Sequence, residues 1–256
     1  MKMSRCSLVL AVLVLKSVWA QAPSYTADSI TNASDYSPGP FAPNSVLSIF
    51  GSNLSWYTQA FASQSATSVP VALSGVEVYV DNWPAPLLYV SASQINFLIP
   101  CGEIPGSVSV HVVREGVSGP FVSLTLVDAA PALFEIGSGF AIATHADGTV
   151  LTHASPGLPG EIVVVYATGL GATDPIPEAG EIPETAAPLQ WLSTLSISLN
   201  GAALPSALIK YAGATPGCVG LYQLNMQLPQ DLPADPVIQV SMGTRSNSVS
   251  LKIAVR

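Results

Sequence analysis

The chain has 256 residues, of which 49% are hydrophobic and 9% charged, and its formal net charge is −8. This composition excludes a long disordered protein, which needs low hydrophobicity and high charge, and a coiled coil, which needs abundant charged residues at heptad spacing. The 20 Gly and 22 Pro interrupt the chain too often for long helices, so the sequence predicts an all-β globular protein long enough for two domains.

The first 20 residues have the pattern of a secretory signal peptide. Lys2 and Arg5 precede an apolar run over residues 8–15, and Val18 and Ala20 suit a peptidase site. The apolar run is shorter than the ~20 residues of a membrane-spanning helix, which favours cleavage after Ala20 over the alternatives of an uncleaved anchor or a buried strand. The sequence therefore predicts a secreted protein in the periplasm, on the cell surface or in the medium, without membrane insertion after cleavage.

Removal of this segment makes the charge balance more acidic. Residues 21–256 keep five basic residues against 16 acidic ones, because Lys2, Arg5 and Lys16 are lost. Nucleic-acid phosphates are bound through Lys and Arg, so this balance excludes nucleic acid as a partner. The predicted partner is an extracellular protein or a glycan.

The mature chain contains two sets of short strand-like segments. Residues 21–38 are polar and turn-rich and are predicted to form a loose N-terminal arm. The first set of predicted strands lies at 46–50, 76–80, 86–90, 94–99, 107–113 and 121–127, and the second at 162–166, 195–199, 206–211, 221–228, 237–242 and 248–255. Between them, residues 130–158 contain Asp147-Gly148, which favours a two-residue hairpin turn and predicts a β-hairpin connector.

The two sets repeat each other in sequence. Residues 42–54 match residues 158–170 in the proline, the apolar strand, the aromatic residue and the closing leucine, and residues 94–100 match residues 223–229. Strands at such short intervals, in a unit of roughly 100 residues, are typical of an immunoglobulin-like β-sandwich. The predicted fold is therefore two immunoglobulin-like β-sandwiches from an internal duplication, at 39–129 and 159–256, joined by the connector.

Three runs carry a family resemblance in combination. They are Val165-Tyr-Ala-Thr-Gly-Leu-Gly171, Gly220-Leu-Tyr-Gln-Leu-Asn-Met-Gln-Leu-Pro229 and Pro86-Leu-Leu-Tyr-Val-Ser-Ala-Ser-Gln-Ile-Asn-Phe97. With them the sequence resembles the Solibacter uncharacterised C-terminal domain family of secreted acidobacterial proteins, which is loosely similar to the TIG/IPT immunoglobulin-like modules. The resemblance spans roughly residues 38–256 and implies an extracellular region without an established biochemical activity.

The sequence contains no complete catalytic or cofactor-binding motif among those considered. Gly169-Leu-Gly171 begins like a dinucleotide-binding loop, but Asp174 replaces the third glycine and prolines at 175 and 177 block the helix that must follow. These glycines instead favour a strand that leaves its sheet with positive φ. A Gly-x-Ser-x-Gly elbow does not occur in the sequence. The sequence predicts no cofactor and no enzyme activity.

The three histidines do not predict a joint metal site. About the Asp147-Gly148 turn, residue 145 is expected opposite residue 150 and residue 142 opposite residue 153. This register places His145 and His153 on opposite faces of the hairpin. His111 alternates with inward-facing valines and is expected on the outer face of its strand.

Four carboxylates and two cysteines are further candidates. The carboxylates lie in a proline-rich loop and are either ligands for calcium, which prefers oxygen-rich loops, or solvated surface charges: Asp174, Glu178, Glu181 and Glu184. Cys101 and Cys218 can form one disulfide in an oxidising compartment or stay as two free thiols.

Aromatic residues on loops are the predicted ligand-binding residues: Trp56, Tyr57, Phe61, Trp83 and Trp191. Flat amphipathic rings suit the recognition of proteins and sugars, and the alternative is that these rings cap the open ends of the sandwich cores. The predicted function is a secreted, non-catalytic binding or structural module, with surface attachment as one role. The alternative is a carbohydrate-active protein, either a glycan-binding module or a hydrolase whose carboxylates are assembled in space.

Overall fold

The computed structural model describes residues 21–62, 66–247 and 249–256, and the predicted signal peptide lies outside them. Within these ranges the helical elements are single 3₁₀ turns at Ala27–Ser29, Leu192–Thr194 and Ser206–Leu208. No helix among the described residues combines the length and the hydropathy needed to cross a membrane. The protein is all-β, as predicted.

The first half of the chain contributes strands β1 to β11. In chain order they are β1 (Ile30–Asn32), β2 (Val46–Phe50), β3 (Gln59–Ala60), β4 (Ala72–Leu73), β5 (Val76–Val80), β6 (Trp83–Pro84), β7 (Leu87–Val90), β8 (Gln94–Leu98), β9 (Gly106–Arg114), β10 (Val117–Ser118) and β11 (Val122–Leu126).

These strands form two antiparallel sheets that pack as a sandwich. One sheet has the order β1-β2-β8-β7-β3, and the other has the order β10-β9-β5-β4, with β11 paired to β9 and β6 to β5. Alternate residues of β5 and β9 are buried, so one face of their sheet contributes to the core and the other faces solvent. The core between the sheets is formed by β-branched and aromatic side chains such as Ile49, Phe97, Val78 and Val110.

The second half contributes strands β12 to β24. They are β12 (Ala132–Leu133), β13 (Glu135–Gly137), β14 (Phe140–Ala141), β15 (Ala143–His145), β16 (Ile162–Thr168), β17 (Ala187–Pro188), β18 (Leu195–Leu199), β19 (Ala202–Ala203), β20 (Ile209–Ala214), β21 (Tyr222–Gln227), β22 (Val237–Met242), β23 (Arg245–Ser246) and β24 (Leu251–Lys252).

The second sandwich repeats the pairing of the first. The order β16-β21-β20 corresponds to β2-β8-β7, and the pairs β18·β22 and β22·β24 correspond to β5·β9 and β9·β11. Even an irregularity is repeated, because the register shifts between Leu87 and Tyr89 in β7·β8 and between Ile209 and Tyr211 in β20·β21. Two immunoglobulin-like β-sandwiches, each with its own buried core, are therefore present.

The N-terminal arm over residues 21–38 is not loose, which corrects the sequence prediction. The Tyr25 side chain is buried, and its hydroxyl accepts the Val112 N–H at 2.7 Å and donates to the Pro120 carbonyl at 2.6 Å. Residues Ile30–Asn32 pair with β2. The polar composition concealed these apolar anchors, which hold the arm on the first sandwich.

The predicted connector over residues 130–158 is hydrogen-bonded into the second sandwich. Strands β12 and β15 pair with β16, and β14 pairs with β24. The turn at Asp147-Gly148 is present, but Thr144 lies opposite Val150, one residue away from the predicted register. Only Gly148 of the dipeptide has positive φ, so the turn carries an extra bulge residue rather than two left-handed residues.

An ion pair links the end of β15 to the residue before β16, and it makes the stability of this region depend on pH. His145 Nδ1 lies 2.5 Å from Glu161 Oε1, and its Nε2 lies 3.1 Å from Ser155 Oγ. The hydrogen bond to Glu161 is the largest cause of a raised His145 pKa. Because the pKa is higher in the folded state, this pair stabilises fully below the ordinary histidine pKa of 6.5, and the stabilisation is lost as pH rises through the folded value.

We expect Glu161→Gln to lower the His145 pKa toward its ordinary value, as measured by an NMR titration of the imidazole protons. Asp147→Asn is the control, because it removes a neighbouring carboxylate of smaller influence and keeps an oxygen for the Thr149 N–H. Equal shifts in both variants would contradict the assignment to the Glu161 hydrogen bond.

Candidate functional site

The two sandwiches are joined through buried polar groups at one end of β16. The Thr168 hydroxyl donates to the Gly220 carbonyl at 2.9 Å and accepts the Val46 N–H of β2 at 3.4 Å. Thr168 is fully buried, so the loss of this hydroxyl would leave two backbone groups without partners. A strand of each sandwich is thus connected through one side chain.

The Gly169-Leu-Gly171 motif lies at this junction. Gly169 and Gly171 have φ of 73° and 93°, as expected for a strand that leaves its sheet through glycines. A Cβ on Gly169 would lie 2.2 Å from the Ala130 carbonyl oxygen, and one on Gly171 would lie 3.0 Å from the Asp128 carbonyl oxygen. The glycines are therefore needed for close backbone packing at the junction between the sandwiches.

The acidic proline-rich loop packs against the first sandwich. The Val69 N–H donates to the Gly180 carbonyl at 2.8 Å, and the Ile182 N–H donates to the Thr67 carbonyl at 3.0 Å. The Glu181 carboxylate accepts the Glu178 N–H at 2.8 Å and so stabilises the turn of its own loop.

The structure lends no support to the calcium site, one of the two alternatives that the sequence offers for this loop. No three His, Cys, Asp or Glu side chains among the described residues come together as a metal site requires. The backbone of the loop donates and accepts hydrogen bonds with the first sandwich, and no metal-type cluster among the described residues includes its carboxylates: Asp174, Glu178, Glu181 and Glu184.

The two cysteines are free thiols, so the disulfide that the sequence left open is not formed. Cys101 is half-buried and its thiol donates to the Pro177 carbonyl at 2.8 Å, while Cys218 is exposed. Burial raises the pKa of both thiols, which lowers the fraction of reactive thiolate.

A cleft of about 250 Å³ lies between the two sandwiches beside this junction. We call it the inter-sandwich cleft. The first sandwich contributes one wall and the second the other, through residues that include Asn44, Cys101, Glu103, Asp128, Thr173, Ile176, Gln190, Trp191 and Tyr222. Cavities between domains that combine apolar walls with a few polar groups are the usual form of a ligand site.

Hydrogen bonds across the cleft fix its floor. The buried Tyr222 hydroxyl donates to the Gly171 carbonyl at 2.6 Å and accepts the Asn44 amide at 3.2 Å. Burial raises the pKa of Tyr222 to about 12, so this hydroxyl stays protonated and keeps its donor role. Asn44 comes from the first sandwich, and its position is therefore set by a side chain of the second.

The mouth of the cleft carries an aromatic ring and carboxylates. Trp191 is 49% exposed and lies next to the exposed Gln190. Glu103 Oε1 is buried without a hydrogen-bond partner among the described atoms. Burial, and to a lesser extent the negative charge of Asp81, raises the pKa of Glu103. The cleft thus offers a ring face together with hydrogen-bonding groups.

Only one of the five predicted aromatic residues lies at this cleft. The Trp56 ring is covered by the guanidinium of the buried Arg114, 3.9 Å from its centroid, and Trp56 Nε1 donates to Glu115 at 3.0 Å. Tyr57 is exposed beside Trp56, and Phe61 is half-buried at the end of the edge strand β3. One face of the Trp56 ring is therefore occupied by the Arg114 guanidinium and is not free for a ligand.

Trp83 is exposed at the other end of β5. It pairs with Val80, whereas the Arg114 beneath Trp56 pairs with Val76. Because β5 separates these two ends, Trp56 and Trp83 do not form one platform. Trp191 is thus the predicted aromatic residue that the fold places in a cavity.

Residues 31–127 match the IPT/TIG domain family model. The matched range coincides with most of the first sandwich, which we therefore describe as IPT/TIG-like. The more specific Solibacter resemblance stays a prediction. A comparison with curated proteins gives no match.

Among solved structures, similarity extends over most of the chain at low identity. A surface glycan-binding protein of Prevotella bryantii is 16% identical over 91% of this chain and 41% of its own, with a TM-score of 0.27. An SGBP-B protein of Bacteroides ovatus, solved with a mixed-linkage heptasaccharide, is 9% identical over 84% of this chain and 43% of its own, with a TM-score of 0.33. A titin structure is 12% identical over 92% of this chain and 100% of its own, with a TM-score of 0.28.

The chain spans less than half the length of these two bacterial proteins. At such TM-scores the similarities describe neither a domain arrangement nor a function.

Sequence reasoning missed most of the residues that line the cleft, among them Asn44, Glu103, Asp128, Gln190 and Tyr222. They come from separate loops and one strand, and nothing in their spacing indicates that they converge. Their proximity arises from the packing of one sandwich on the other, which the glycines and Thr168 determine.

Proposed function

We propose that the chain is a secreted, non-catalytic binding module whose ligand occupies the inter-sandwich cleft. The observation that carries this proposal is the half-exposed Trp191 at the mouth of a cavity walled by both sandwiches. A half-exposed indole offers apolar contact area at little cost in side-chain entropy, and it is the kind of residue that dominates binding energy. The hydrogen-bonded floor supports a cavity that is formed before the ligand arrives.

A carbohydrate is the second candidate ligand class, and the chemistry of the cleft favours it. Sugar rings present an apolar face to an aromatic ring and hydroxyls to amides and carboxylates. Trp191 lies here beside Gln190, with Asn44, Glu103 and Asp128 on the walls.

An NMR experiment on the ¹⁵N-labelled mature protein tests both candidates. Three of the four tryptophans follow residue 20, namely Trp56, Trp83 and Trp191, so their indole N–H signals are few and separable. The probes are a library of small soluble fragments and a panel of neutral oligosaccharides. We expect ligands to shift the Trp191 signal and to leave the Trp56 and Trp83 signals in place.

The outcomes separate the candidates. Shifts at Trp191 with oligosaccharides alone support the carbohydrate, and shifts at Trp191 with other fragments support a different ligand class. Release of new reducing ends from the oligosaccharides would contradict the non-catalytic assignment, and ligands that shift only other regions would contradict the cleft.

We expect Trp191→Ala to weaken binding of any such cleft ligand by at least about fivefold, because truncation of an indole that contacts the ligand commonly costs more than about 1 kcal/mol. Trp83→Ala is the matched control, since it removes an exposed indole that does not line the cleft. Isothermal titration calorimetry measures both affinities. Equal losses in the two variants would remove Trp191 from the site.

A further inference from the structure

A row of three stacked rings lies on the outer face of the IPT/TIG-like sandwich. Tyr79 of β5 is directly opposite His111 of β9, with ring centroids 5.1 Å apart and planes 12° apart. Phe121 stacks on the other side of His111 at 4.2 Å and 29°. The Phe121 side chain is 68% exposed. We call these residues the aromatic row.

Carboxylates flank the aromatic row on its own strands. The Tyr79 hydroxyl donates to Glu77 at 3.2 Å on one side. Asp81, on the other side, accepts the Ser109 N–H at 2.7 Å. Both carboxylates belong to β5 or its following turn, two residues before and two residues after the tyrosine.

The first sandwich itself adds no exposed cation to the surface around the row. Residues 21–129 contain seven acidic residues and a single basic one, Arg114, whose side chain is 1% exposed. The potential around the row is therefore negative, and an approaching ligand meets rings and carboxylates together.

We propose that the aromatic row, with Glu77 and Asp81, is a docking surface for an arginine-rich peptide segment of a partner protein. The charge complementarity selects a cation, and the exposed ring selects one with a flat apolar face. A guanidinium stacks on an aromatic ring and directs its N–H groups to a carboxylate, whereas a lysine ammonium lacks the planar fork.

The chain already contains one stacked guanidinium, although its N–H groups donate to backbone carbonyls. Arg114 stacks at 3.9 Å on Trp56, and the same indole donates to the Glu115 carboxylate. At the aromatic row the ring and the carboxylate are present without an arginine of the chain itself. The stacking of the rings on one another also covers their inner faces, which leaves a sugar little planar surface to contact and favours the cation.

The test uses the mature protein and fluorescein-labelled peptides in which serine alternates with arginine, lysine or glutamate, with anisotropy as the readout. We expect the arginine peptide to bind more tightly than the lysine peptide and the glutamate peptide not to bind. Phe121→Ser and Glu77→Gln should each weaken binding of the arginine peptide by about fivefold, the equivalent of one exposed cation–π or charge-assisted contact.

Two matched variants control for general effects. Ile136→Ser removes an exposed apolar side chain from the second sandwich, and Asp231→Asn makes the same change in net charge as Glu77→Gln. We expect neither control to change the affinity by more than about twofold. Absence of binding, equal binding of the lysine peptide, or equal losses within a matched pair would overturn the proposal.

Discussion

Gly169→Ala is expected to destabilise the protein by about 2–5 kcal/mol, because two penalties coincide at this position. The residue has φ of 73°, which an alanine adopts at a cost, and the added Cβ would lie 2.2 Å from the Ala130 carbonyl oxygen. That oxygen belongs to backbone, so relief requires a shift of the chain between the sandwiches. Urea denaturation of the purified variant measures the loss.

Gly148→Ala is the matched control for this prediction. Gly148 has φ of 88°, but nothing lies within 4 Å of the position of an added Cβ. This variant isolates the backbone penalty and should lose only about 1–2 kcal/mol. If the two variants were equally stable, the close approach at the junction would not contribute.

Arg114→Met is expected to release the N-terminal arm and to cost about 2–5 kcal/mol. The Arg114 guanidinium donates at 2.5 Å to the carbonyls of both Gln21 and Asn53 beneath the Trp56 ring. Methionine fills a similar space without a donor, so two carbonyls lose their partners. Hydrogen exchange should accelerate at the Ser24 N–H of the arm, which donates to the Ser52 carbonyl of the first sandwich.

Arg245→Met serves as the control, because Arg245 is exposed on the short edge strand β23. Exposed substitutions of this kind change stability by no more than about 0.5 kcal/mol. Unchanged exchange at Ser24 in the Arg114 variant would show that Tyr25 and β1 hold the arm without the guanidinium.

Four strands have the predicted bounds: three of them bury alternate residues, and Val46–Phe50 buries four consecutive residues. Val46–Phe50, Val76–Val80, Leu195–Leu199 and Val237–Met242 have the bounds expected from their apolar pattern. In the three alternating strands, the two-residue period of apolar side chains indicates directly which residues enter a core. Edge strands of two residues, such as β6 and β19, are too short to carry a period and exist only because a partner strand is present.

The contacts between segments could not be predicted in the same way. The register about Asp147-Gly148 depends on one bulge residue, which composition does not reveal. The sequence of the acidic loop suggests a cation site, whereas the structure shows its backbone hydrogen-bonded to the first sandwich. Trp191 was among the predicted binding residues, but its neighbours in the cleft depend on the packing of two cores. By contrast, the outward position of His111 in the aromatic row follows from strand alternation alone.

The Thr168 hydroxyl, with its bonds to Val46 and Gly220, has a consequence for how the cleft would work. Binding proteins that close on a ligand like jaws spend part of their affinity on the movement. Here buried hydrogen bonds of Thr168 and Tyr222 already join the two walls. Ligand association should therefore follow a single exponential phase, without a slower phase for closure of the cleft. Selectivity among ligands should be set by their shape.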